Sequence, residues 1–160
     1  MTDTGNSIHP TLHTMYKWQV MPIRIGWLCL LIPFFSLTNY IVGSAVVVTC
    51  LGYLYLLAFG RKYDQSHRQP SYKDFFSLDG VVSMFKNPRV TLTGWLHFLA
   101  FDLLIGLYIV NDAQGHDIAH WFLLPILVIT LMAGPFGLLL YLLLRLFYTQ
   151  DVGLFFSILG

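Results

Sequence analysis

Between residues 25 and 59 the chain carries no charged side chain, and almost the same holds over 90–101, 103–111 and 118–144. Runs of that length limit the fold more than any motif does. A helix crosses bilayer hydrocarbon in about 20 residues, and it satisfies its backbone N–H and C=O groups internally, as lipid demands. Composition agrees: 56% of the 160 residues are hydrophobic and 11% are charged, with a mean hydropathy of +0.66. A soluble domain carries about 25% charged residues. Core burial cannot absorb the deficit, because a chain of this size leaves too much surface to cover. Disorder, collagen, coiled coil and a disulfide scaffold are excluded by the same figures. A net charge of +1 gives no reason to expect a nucleic-acid partner. These features imply an all-α integral membrane protein with membrane lipid around it.

The run 25–59 is too long for one span. Thr38, Asn39 and Tyr40 are its expected turn, giving spans near 20–37, which holds Arg24 and the kink-prone Pro33, and near 40–59. A third span fits 90–110, opened by Asn87-Pro88, since the residue before proline avoids helix. The fourth, 120–147, is longer than needed and is interrupted by Pro125 and Gly134-Pro135-Phe136-Gly137, so it should tilt or kink. All nine Lys and Arg then fall on one side. The positive-inside rule places both termini and the 60–89 loop in the cytoplasm. The expected architecture is a four-helix membrane bundle, one domain over 1–160. Within its loop, 60–70 reads as polar, and 74–85 as an amphipathic segment on the membrane surface. The stretch 152–159 is apolar but too short to cross, and it should rest on the interface. The first fifteen residues lack the apolar segment of a signal peptide. With no Arg- and Ser-rich transit peptide, a bacterial inner membrane is the expected location, or a plastid membrane in a plant. Cys29 and Cys50 read as small buried hydrophobes.

The chain contains no Glu, no phosphate-cradling glycine loop and no nucleophile elbow. Chemistry must come from polar groups inside the spans, where they are costly and so mark function. His97 and Asp102 in the third span are the sharpest. At 1.5 Å per residue they lie about 10 and about 18 Å in from Val90. On a helical wheel they point about 140° apart. Polar contacts between helices and an acid–base or ligand role both account for them. Asp112, His116 and His120 recur every four residues, a metal-ligand spacing. Gly115 and the reversal of direction argue against one helix there, so these read as solvated turn residues and no metal is expected. Gly134-Pro135-Phe136-Gly137 reads as a kink whose small residues admit a close neighbour or a ligand.

Leu78-Asp79-Gly80, Met84-Phe85, the stretch from Thr91 through Trp95, His97 and Asp102 to Leu103, Asn111-Asp112, Leu124-Pro125 and Gly134-Pro135-Phe136-Gly137 together resemble one family. It is the neoxanthin-synthase-like membrane family, the abscisic-acid-deficient-four group of plants and its bacterial relatives. The resemblance covers about 72–147. It implies a carotenoid- or isoprenoid-modifying isomerase that opens an epoxide and forms an allene without a redox cofactor. That reaction needs an acid at the epoxide oxygen and a base at a vinylic carbon. The resemblance implies Asp102 as the acid and His97 as the base, with the polyene against Trp95, Phe98, Phe101 and Phe136. A protein that binds lipid or carotenoid without altering it, or a small subunit of a membrane complex, is the alternative. An enzyme changes the pigment it meets; a binder retains it unaltered.

Overall fold

The computed structural model describes residues 8–32, 37–64 and 71–150, and every regular element among them is helical. The helices are α1 (Pro10–Leu31), α2 (Thr38–Phe59), α3 (Leu78–Phe85), α4 (Pro88–Gly115), α5 (His120–Met132) and α6 (Gly134–Thr149). Two 3₁₀ turns, Gly60–Tyr63 and Tyr72–Phe76, lie between α2 and α3. The expected kink at Pro33, the stretch 65–70 of the polar loop and the apolar segment 152–159 lie outside the described residues. Among the described residues two helices are long and apolar enough to cross a membrane: α2, continued to Tyr63, and α4.

Local chemistry moved two boundaries from their expected places. α1 begins ten residues before the expected span, because Pro10 occupies the first helical position, where a missing N–H costs nothing. The His9 ring nitrogen accepts the Thr11 N–H at 3.2 Å. Thr38, Asn39 and Tyr40 open α2 and do not form a turn, so the break between α1 and α2 lies upstream of them. The start of α4 is where Asn87-Pro88 predicts it. The Asn87 side-chain oxygen accepts the backbone N–H of Arg89 at 2.9 Å and of Val90 at 3.3 Å, a side-chain cap ahead of a first-position proline.

The chain forms two compact units, 1–24 with 44–100 and 25–43 with 101–160. In the first, Leu12, Leu56, Leu92 and Leu96 make a buried apolar cluster. Asp64 ties the end of α2 to the start of α4. Its carboxylate accepts from Arg89 Nε at 2.8 Å and Nη2 at 3.0 Å, and from Asn87 Nδ2 at 3.1 Å. The Asp64 side chain is fully buried, and such a charge is stable only when paired and hydrogen-bonded. Tyr53 beside His97 and Gly60 beside Arg89 show α2 and α4 running antiparallel.

In the second unit the run 120–147 is not one kinked helix. α5 passes Pro125 intact and stops at Ala133 (φ −154°, ψ 76°). Pro135 then sits in the first turn of α6, where its lack of an N–H would break a continuing α5. The crossing is so close that a Cβ on Gly137 would overlap Thr130 Oγ1 and Cα. Gly134 meets Asp102, Tyr141 meets Asp112 and Arg145 meets His116. Position numbers therefore rise together, and α6 runs parallel to the second half of α4. α5 must run the other way. With 13 and 16 residues the arms reach about 20 and about 24 Å, each short of a roughly 30 Å hydrocarbon core. They form a helical hairpin whose tip, Ala133-Gly134, lies at Asp102.

Candidate functional site

In the first unit, His97 and Phe98 lie on one side of α4 and open onto a cavity of about 390 Å³. Its walls come from α2, from α3 and from the segment before α3. Leu57, Phe85 and Val90 line it with apolar surface, and Arg61, Ser71 and Tyr72 contribute polar groups. Along α4 the cavity extends from Arg89 to Phe98, about 14 Å of helix. The His97 ring is exposed to it and lies 5.9 Å from the ring of Tyr53, tilted by 41°, and 5.9 Å from that of Phe98. An imidazole beside a phenol in an aromatic groove brings a proton acceptor and a hydroxyl donor to one place.

Asp102 belongs to the second unit and serves a different neighbour. Its Oδ1 lies over Gly134, where a Cβ of any other residue would collide with it. Gly134 is the first residue of α6, so the carboxylate sits at the positive end of that helix. Phe101 and Phe136, expected as polyene contacts, are 53% and 54% exposed in this unit. Trp95 lines a separate cavity of about 420 Å³ in the first unit, with Leu12, His13 and Lys86. Of the six expected site residues, His97 and Phe98 share a cavity, and Trp95, Asp102, Phe101 and Phe136 stand elsewhere.

A second polar cluster joins the ends of α4 and α6. Tyr141, fully buried, donates to Asp112 Oδ2 at 2.5 Å. Arg145 Nε lies 2.8 Å from the same oxygen, and Arg145 Nη2 lies 2.9 Å from His116 Nε2. Arginine only donates, so Nε2 accepts. The His116 proton is thereby assigned to Nδ1, which donates to the Asp112 carbonyl at 2.8 Å. Arg145 Nη1 is buried without an acceptor among the described residues. Asp112 and His116 are therefore not solvated turn residues. They hold the returning arm of the hairpin against α4. His120, third in the four-residue spacing, opens α5 instead.

A family model described as ABA DEFICIENT 4-like matches residues 14–141. The chain belongs to this neoxanthin-synthase-like family. The ABA DEFICIENT 4-like match reaches back to α1, well beyond the half of the chain that carried the resemblance, and it takes in His97, Asp102, Gly134 and Tyr141. Arg145 lies past its end. No curated protein and no solved structure matches the chain.

Sequence reasoning missed Asp64 with Arg89, and Tyr141 with Arg145. The first pair are residues of opposite sign at the two ends of one loop, which was a legible signal. The second needs the hairpin, since the charge pattern alone places Arg145 on the cytoplasmic side.

Proposed function

We propose that this chain is an integral membrane protein that rearranges an oxygenated carotenoid or related isoprenoid by proton transfer, without a redox cofactor. Membrane insertion is supported by what α2 leaves uncovered: Val47, Leu51 and Leu54 are 58%, 60% and 59% exposed, a stripe too apolar for water. The observation that carries the reaction is His97, on the helix that bears the resemblance, open to a cavity walled by aromatic and aliphatic groups. His97 takes the proton from the vinylic carbon as the epoxide C–O bond opens. The Tyr53 hydroxyl gives its proton to the departing oxygen, and proton exchange between tyrosinate and imidazolium restores both. Atoms and electrons balance, so the product is an isomer. Asp102 is assigned to the N-terminus of α6, outside this cavity.

Co-expression with a pathway that accumulates epoxidised xanthophylls tests the proposal. A new isomer of unchanged mass is expected, and His97→Ala should lower its yield about a hundredfold or more at equal protein level, the usual weight of a general base. A yield untouched by His97→Ala overturns the assignment. Epoxidised pigment that co-purifies unaltered favours the binding-protein alternative.

A further inference from the structure

The cavity at Trp95 is separate from that of His97. It lies between the first turns of α1 and the start of α4, within the first unit, with a volume of about 420 Å³. Leu12, Leu92 and Trp95 supply apolar surface; His13, Tyr16 and Lys86 supply polar tips, and none of the side chains that line it is acidic. Lys86 directly precedes the α4 cap, its backbone N–H held by the carbonyls of Ser83 and Met84. Among the described residues no acid pairs with its ammonium. Trp95 lies seven residues into α4, about 10 Å deeper than Pro88. A cation at the start of a spanning helix, then the aliphatic side chains of Leu12 and Leu92, then an indole about 10 Å in, matches an anionic lipid with its phosphate at the interface and its chain running inward.

From this we propose that the groove between α1 and α4 binds an anionic phospholipid, with Lys86 and His13 at the phosphate and Trp95 along the acyl chain. The site rests on the membrane reading above but not on the reaction at His97. One occupant is specified: a phospholipid, not free phosphate.

The full chain is reconstituted in phosphatidylcholine vesicles containing a minor fraction of tail-brominated phosphatidylglycerol or, in parallel, tail-brominated phosphatidylcholine. Bromine quenches tryptophan on contact. The anionic lipid should quench more strongly, with an apparent affinity about fivefold higher, the weight of one basic residue at a membrane surface. Trp95→Phe should remove that difference, leaving Trp18, Trp27 and Trp121 as internal controls. Lys86→Gln should remove it while Lys86→Arg keeps it, and inorganic phosphate in the buffer should not compete. His97→Ala should leave it intact. Insertion with equal quenching by the two lipids, or a difference that survives Lys86→Gln, overturns the site. Competition by inorganic phosphate overturns the lipid as occupant. Failure to insert overturns the membrane reading itself.

Discussion

Asp102 shows how a residue can be legible while its partner is not. Its cost in an apolar helix marks it from sequence, and Gly134-Pro135-Phe136-Gly137 is marked separately by its small residues. That the two marks are one contact depends on the chain doubling back, which spacing along the sequence does not encode. The contact makes a prediction opposite to that for His97. Asp102→Asn keeps an oxygen at the positive end of α6, so it should preserve the thermal unfolding midpoint in detergent and the pigment conversion. Asp102→Leu removes that oxygen and should lower the midpoint by the equivalent of about 1 kcal/mol, the typical worth of a side-chain oxygen at a helix N-terminus. Gly134→Ala should cost about 1–3 kcal/mol, since its methyl must displace the carboxylate. Conversion lost in Asp102→Asn at an unchanged midpoint would instead make Asp102 the proton donor.

Among the elements, the hairpin of α5 and α6 departs furthest from expectation. Its apolar residues were visible, and so was the weak point at Gly134-Pro135. Hydropathy reports which residues avoid water and is silent on which way the chain runs after a break, so one tilted helix and two short antiparallel arms read alike. Direction is fixed by polar contacts, with Arg145 and Tyr141 on Asp112 and Arg145 on His116. Arg145→Leu leaves the Asp112 carboxylate without its cation, and breaking such a pair should cost about 3–5 kcal/mol. Removing both charges in Asp112→Asn with Arg145→Leu should recover part of that loss, because no buried charge is then left alone. Unfolding midpoints of the two single variants and the double variant supply the cycle. Equal, additive losses would mean that the arm is held by packing at Thr130 and Gly137 and not by the ion pair.

The whole molecule was legible as an all-α chain with apolar helices at nearly the expected places, because charge-free runs and the Asn87-Pro88 stop are local signals. The path of its last third was not. Nine basic residues on one side of the expected chain speak for four spans, whereas Arg145 sits against Asp112, in the turn expected to face the opposite side. In a buried ion pair a charge answers to its partner and not to the membrane potential or the translocation machinery that the rule describes. The two arrangements separate by labelling. In a background with Cys29 and Cys50 replaced, single cysteines at Ser71, Gln114 and Tyr148 can be probed with an impermeant maleimide on sealed vesicles. Ser71 precedes α3 and Gln114 ends α4, a helix of 28 residues or about 42 Å, so these two should label from opposite sides. One kinked span over 120–147 would carry Tyr148 back to the side of Ser71. A hairpin returns it to the side of Gln114, which is the expected result, and Tyr148, half-exposed near the end of α6, is open to the reagent. Labelling of Tyr148 with Ser71 would restore the four-span bundle and require the contacts of Arg145 with Asp112 and His116 to be abandoned.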